Sequence, residues 1–508
     1  MEHRSHAADA PPLPDEWTVA RVPGVERDGD LLLGGIPYRI VRLRGSAARA
    51  VDALFDGETV GAARVRGDVD AGRVAGRLVA DDFGWARPGR VGSPATAADV
   101  TIVVPAYNAA DDIGRLLDSP LVPEVAGVVV ADDASTDGTA AAARDAGADV
   151  VTLPENRGPA AARNQAWPRV TTPFVLFVDA DATLPDDLVP ALAHFGDPAV
   201  GVVAPRIHEV GLDGRPPSLA ERYESGRGGR DLGPIGGDIG PSRRLTHAAS
   251  LLLLARVEAL EAVDGFADDM RFGEDLDLLR RLTLAGWIVR YEPEWVGTHR
   301  ARSHLVAMLR LHFRYGIPSG TADRRSRTSS GTGTTSFLTW LAAVFAVLGS
   351  PLAAAVAGVL AVALTLGVLV GRLLPMRAVR TAIRVEVKSL RAVAAALSGP
   401  WLVPSLAIVA VRRTWFGLAF VAVALLLRHA TDWRRSRPKV SLPVWIALRS
   451  LDDQALAFGT WVGCVRARTL SPVLPRFRSV LARRARPDAG AIDGWTDVAV
   501  FDANNHVR

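Results

Sequence analysis

Two aspartates separated by one alanine close an apolar run in FVLFVDADATLPDD, residues 174–187. A chain that bends there turns the carboxylates of Asp179 and Asp181 toward one centre. Hard cations such as Mg2+ and Mn2+ take oxygen ligands, and Mg2+ is commonly held by one or two carboxylates together with substrate phosphates. The pair therefore suits a divalent ion placed against a diphosphate. A lone Asp-x-Asp arises easily by chance. Its place at the end of FVLFV, downstream of a second acidic cluster in VVVADDASTDGTA, gives it weight.

In that second cluster Asp132 and Asp133 follow a strand-like run and precede a helix-like one. Ser135 and Asp137 suit capping of the helix, but a cap takes one acceptor and more polar groups are present. A carboxylate at such an edge accepts hydrogen bonds from a base N–H or from ribose hydroxyls. The third cluster is RFGEDLDLLRRLTLAGW, where Gly273, Glu274 and Asp275 open a helix with Leu276, Leu279 and Leu282 on one face. A helix dipole favours acids in its first turn. Glu274, Asp275 and Asp277 exceed that need, and a carboxylate projecting into a cleft is a natural general base for a hydroxyl acceptor. Arg163, in NRGPAAARNQAW, has the reach for a phosphate and equally the spacing of a solvated helix face.

The elements that position these residues are legible as apolar runs. VTIVVPAYN, VAGVVVADD, ADVVTLPEN, FVLFVDADA and AVGVVAPRI are continuous rather than alternating, as in strands covered on both faces of a mainly parallel α/β sheet. AADDIGRLLDS, TDGTAAAARDAG and GPAAARNQAW between them read as helices. Ligands of open α/β sheets bind at the carboxyl ends of the strands, which is where the acidic clusters fall. Before this region, LLLGGIPYRIVRLRG reads as two short strands about a Gly-Gly turn. SAARAVDALFDG then has helical spacing and stops at Gly57. The small residues of 92–99 form a linker. The expected divisions are 15–90, 99–325, 336–470 and a C-terminal tail, 471–508.

Residues 328–371 carry no charged side chain. Gly349-Ser350-Pro351 divides them into 337–348 and 352–371, and a spanning helix needs roughly 20 apolar residues. Residues 392–411 and 414–427 are also uncharged, with Pro400 and Pro404 interrupting the first and Arg412-Arg413 between the two. Membrane association through 336–428 follows. Arg324, Arg325 and Arg327 on one side, with Arg372, Arg377 and Arg380 on the other, suit a hairpin with both ends cytoplasmic. The N-terminal MEHRSHAADAPPLPDEW lacks the apolar core of a cleavable signal. The expected location is the cell membrane, with the catalytic domain in the cytoplasm. A formal charge of +4 over 508 residues gives no reason to expect nucleic acid. The single cysteine, Cys464, excludes an intramolecular disulfide and a multi-cysteine metal site.

In order and spacing VVPAYN, VVADDASTDGT, ENRGPAAARN, DAD and GEDLDL resemble the inverting family-two glycosyltransferases that include cellulose, chitin and hyaluronan synthases. The resemblance covers about 100–312. It implies an α/β fold of the GT-A (Rossmann-like) type, a UDP-sugar donor and Mg2+ or Mn2+. Around it the chain would carry a small N-terminal α+β domain and C-terminal hydrophobic helices. It further implies that Pro105, Tyr107, Asn108 and Asp132 or Asp133 lie by the nucleoside, with Arg163 and Asp179 on the diphosphate. Asp179 and Asp181 would hold the metal, with His299 of VGTHRARSH as a further ligand. Asp275 would be the base, with Glu274 hydrogen-bonding the acceptor or ordering the loop.

RYESGRGGRDLGP, GEDLDLLRRLTLAGWIVRYEP and LDDQALAFGTWVGCVRARTLSPVLP extend the likeness to the mycofactocin-biosynthesis glycosyltransferases of actinobacteria, over nearly the whole chain. That implies transfer of glucose from UDP-glucose to a peptide-derived redox cofactor, extended as a β-1,4 oligoglucoside. LLLGGIPYRIVRLRGSAARAVDAL also resembles small winged-helix peptide-recognition domains, which implies a precursor peptide bound through residues 15–90; the alternative is an accessory domain, a structural extension packing on the catalytic domain. No Gln-x-x-Arg-Trp follows the third motif, so a short product fits better than a long polymer. A membrane-bound transferase making a cell-envelope polysaccharide or glycolipid would use the same catalytic domain.

Overall fold

All five apolar runs form strands in the computed structural model, which describes residues 10–67, 70–89, 95–211, 216–241, 243–326, 331–370, 375–477 and 492–501. Residues 92–94 of the expected linker, Arg327 and Arg372 of the flanking charges, and most of the expected tail lie outside the described residues, as does the Arg325 side chain. The chain divides into two compact units. The first comprises described residues up to 211, 228–301 and 492–497, and the second comprises 216–227, 302–477 and 498–501.

The first unit begins with strands β1 (Thr18–Arg21), β2 (Glu26–Asp28), β3 (Leu31–Gly34) and β4 (Tyr38–Leu43), and later β5 (Gly84–Arg87). β2, β3 and β4 form an antiparallel meander, and β1 pairs with β5. The Gly-Gly turn between β3 and β4 needs glycine. Gly35 has φ +71°, and a Cβ there would lie 2.3 Å from the Asp81 carbonyl oxygen. Helices Gly45–Phe55, Val60–Gly67 and Ala71–Ala80 bury Val51, Leu54, Val60, Val74 and Leu78 beneath these strands. The chain returns here from its far end: the Gly494 carbonyl accepts from the Arg44 N–H, and Asp497 pairs with Arg39 and Arg77.

The main sheet contains β6 (Val100–Ala106), β7 (Gly127–Asp132), β8 (Asp149–Thr152), β9 (Phe174–Val178), β10 (Ala182–Thr183), β11 (Val200–Val210), β12 (Gly237–Ile239), β13 (Leu252–Arg256) and β14 (Ile288–Arg300). Their order is β10-β14-β11-β13-β9-β6-β7-β8, with β12 also on β14. β9, β6, β7 and β8 run parallel, β11 and β14 run parallel, and β13 lies antiparallel between the two groups. Alternate residues of one strand enter opposite cores: Leu252 and Leu254 face one, Leu253 and Ala255 the other. A sheet buried on both faces is why its strands are unbroken apolar runs. With helices 110–117, 139–145 and 159–166 between the parallel strands, this is the GT-A arrangement.

The second unit is helical. Pro351–Leu369 and Trp415–Ser436 are each long and apolar enough to cross a membrane. Pro375–Ser398 and Leu402–Arg412 form a pair bent by 81° that makes a third span if it crosses as one. Phe337–Val347 is shorter. Pro351 occupies the first helical turn, where its missing N–H costs nothing. Away from the apolar segments, Tyr223 of helix Leu219–Arg227, His312 of Leu305–Gly316 and Asp452 of Leu442–Ala467 meet in a buried polar cluster.

Candidate active site

Parallel pairing of β6, β7 and β9 brings their carboxyl ends to one edge, and the first two acidic clusters with them. After β6, Tyr107 is half exposed and Asn108 takes a left-handed φ of +49°, a conformation asparagine tolerates. The Asn108 side-chain oxygen accepts from the Thr136 N–H at 2.8 Å, and its own N–H donates to Ser135 Oγ at 2.9 Å. This ties the loops after β6 and β7 together. Pro105 is buried inside β6.

The two aspartates at the end of β7 do different work. Asp132 accepts from the Ser135 N–H at 3.2 Å and closes its own turn. Asp133 accepts from the N–H groups of Arg157 and Gly158, one on each oxygen and both at 2.8 Å. That fixes the loop leading into the helix that carries Arg163.

Arg163 is not on a solvated face. It is 1% exposed, with one Nη 2.6 Å from an Asp179 oxygen and the other 3.4 Å from a Glu274 oxygen. Its guanidinium lies 5.1 Å from the centre of the Phe266 ring. One buried cation thus joins the Asp-x-Asp loop to the Gly-Glu-Asp helix. The approach to that helix is clamped as well: the Asn164 amide donates to the Phe266 carbonyl at 2.8 Å, and Arg157 pairs with Asp268.

Helix Glu274–Leu284 opens as expected, on a Gly273 with φ +76°. Its apolar face differs by one position, because Leu278 is buried with Leu279 and Leu282 while Leu276 is only half buried. Asp277 is accounted for by Arg281, 2.7 Å away on the next turn. Glu274 is nearly buried, and its carboxyl is pushed up to about 7, by burial first and by the charge of Asp275 second, against the pull of Arg163. Asp275 is more open and accepts from the Leu276 N–H at 2.7 Å.

His299 stands in strand β14, buried, opposite Ala182 on β10 and Glu209 on β11. Its Nε2 lies 3.4 Å from Asp181 and its Nδ1 3.2 Å from Glu209. Burial lowers its affinity for a proton, but hydrogen bonds to Asp181 and Glu209 prevail and lift it to about 9. Glu209 also pairs with Arg230. Neither Glu209 nor Arg230 stands out in the sequence, although Arg230 lies within RYESGRGGRDLGP.

Among the described residues no three His, Cys, Asp or Glu side chains are grouped to hold a metal unaided. The donor set still fits a hard cation that keeps waters and substrate phosphates as its other ligands. Asp179 and Asp181 offer oxygens from one loop, and Asp181 already faces His299. Four carboxylates, Asp179, Asp181, Glu274 and Asp275, stand close to Arg163 or His299.

The glycosyl transferase family 2 model matches residues 101–250. The pre-mycofactocin glycosyltransferase of Mycobacterium tuberculosis is 32% identical over 92% of this chain and 99% of its own length. The succinoglycan biosynthesis protein ExoU of Rhizobium meliloti is 48% identical over 17% of this chain and 27% of its own. Among solved structures, the mannosyltransferase PcManGT of Pyrobaculum calidifontis in complex with GDP-mannose and Mn2+ is 24% identical, covers 67% of this chain and 88% of its own, and has a TM-score of 0.35. The chain belongs to the pre-mycofactocin glycosyltransferases, built on a family 2 catalytic domain.

Proposed function

We propose that the chain moves glucose from UDP-glucose to a peptide-derived redox cofactor, with inversion at the anomeric carbon, and extends it as a short β-1,4 oligoglucoside. The observation that carries the chemistry is the convergence of Asp179, Glu274 and Asp275 on buried Arg163 at the carboxyl edge of the sheet. The acceptor follows from the name of the relative that matches along 92% of the chain.

Asp275, the more open acid of its pair, takes the acceptor hydroxyl proton as that oxygen attacks the anomeric carbon opposite the diphosphate. Glu274 and Arg163 hold the loop in register. Asp179, Asp181 and His299 would hold Mg2+ or Mn2+, which stabilises the charge on the leaving diphosphate as a Lewis acid. Pro105, Tyr107, Asn108 and Asp132 border the nucleoside. Asp133, with both oxygens on backbone N–H groups, serves it by shaping the loop. Helices within 336–428 keep the enzyme at the membrane with its catalytic domain in the cytoplasm, and residues 15–90 receive the precursor peptide.

The test is incubation of the detergent-solubilised full chain with UDP-glucose and a soluble peptide-derived acceptor, followed by mass spectrometry and proton NMR. Stepwise hexose addition with β anomeric couplings is expected. Transfer only to a lipid acceptor in intact membranes would instead support the cell-envelope glycan or glycolipid reading.

A further inference from the structure

The side chain of Glu209 is buried between two donors. One carboxylate oxygen meets Arg230 and the other lies 3.2 Å from His299 Nδ1, while His299 Nε2 points at Asp181 from 3.4 Å. The arrangement is set by the sheet, since Glu209 and His299 are register partners on parallel strands β11 and β14. A carboxylate only accepts, so the hydrogen on Nδ1 belongs to the bond with Glu209. By the same rule Nε2 donates to Asp181 while no cation is there, and it gives up that hydrogen and offers its lone pair only when a cation takes its place beside Asp181. Histidines that ligate metals almost always donate their other ring N–H in this way.

We infer that Glu209 is a positioning residue that fixes the ring orientation and tautomer of His299 for the divalent cation. The inference rests on the metal reading of Asp181 and His299 given above. It has a specific chemical consequence. In Glu209→Gln, Arg230 claims the amide oxygen, because the alternative sets an NH2 against a guanidinium. The NH2 then faces Nδ1, which must give up its hydrogen, and the one that remains sits on Nε2. The variant keeps the size of the side chain and blocks the ligand. Removing Arg230 as well frees the amide to turn its oxygen back to His299.

The experiment is titration of the metal-free full chain in detergent with Mn2+ in the presence of UDP, followed by electron paramagnetic resonance. Glu209→Gln should weaken Mn2+ binding by about 10- to 100-fold. Adding Arg230→Met to it should restore most of the affinity, and Arg230→Met alone should stay close to wild type. A merely structural role for Glu209 predicts no such rescue. Wild-type affinity in Glu209→Gln, with binding weakened in His299→Ala, overturns the inference and leaves the metal reading standing. Unchanged affinity in His299→Ala removes the metal role of His299 and this inference with it.

Discussion

Replacing Glu274 by glutamine should stabilise the metal-free protein at pH 8 and leave it nearly unchanged at pH 5. Burial and the neighbouring Asp275 charge raise this carboxyl from an ordinary 4.5 to about 7. Between those values the folded state binds more proton than the unfolded state, so stability falls as pH rises through the window and levels off above it. At about 1.4 kcal/mol per unit, the ionised carboxylate costs about 3 kcal/mol at pH 8. Glutamine resembles the protonated form, still accepts from Arg163, and avoids that cost. A gain of this size moves a melting midpoint by roughly 2–4 °C per kcal/mol in a domain of this class. The assay is thermal unfolding of chelator-treated protein at both pH values. Destabilisation of equal size at pH 5 and pH 8 would refute the reasoning, because it would mean that Arg163 fully compensates an ionised Glu274.

Three further outcomes follow from individual contacts. Asp181→Ala should abolish Mn2+-dependent UDP binding in calorimetry, and unchanged affinity with unchanged metal dependence would count against the Asp-x-Asp site. Asp452→Ala should destabilise the helical unit by about 3–5 kcal/mol, because it strips the acceptor from Tyr223 at 2.8 Å and from His312, and the counter-charge from Arg227. Burial raises the Asp452 carboxyl, but the His312 hydrogen bond and the Arg227 charge prevail and hold it far below the ordinary range, so wild type should lose this stability on acidification and the variant should not. Trp17→Ala should cost about 3–5 kcal/mol in denaturant unfolding, since Trp17 is 1% exposed, edge-on to His194 and beneath the Arg290 guanidinium.

Continuous apolar runs located the five strands because burial on both faces writes itself into adjacent residues. Asp179 with Asp181, and Glu274 with Asp275, were legible for a similar reason: each pair is local and sits at an element end. What was hidden depends on distant residues. Strand β13 is as apolar as its parallel neighbours, so periodicity does not reveal that it runs the other way. Arg163 follows three alanines on its helix and shows no amphipathic signal for the carboxylates it joins from two other elements. Glu209 and His299 are 90 residues apart and meet only because β11 and β14 pair. Trp17 likewise gives no sign in sequence that its ring packs on His194, in the same unit but far along the chain.

The measurement that bears most directly on the account is transfer by Asp275→Asn and Glu274→Gln under saturating UDP-glucose, with UDP affinity recorded beside it. Asparagine keeps the size of Asp275 but takes up no proton at neutral pH. Transfer should fall by roughly two to four orders of magnitude while UDP binds as in wild type, and Glu274→Gln should lose less. A dead Glu274→Gln beside an active Asp275→Asn would place the base one residue earlier. Full activity in both would contradict the account, because it would leave the acids of this helix with no part in the chemistry.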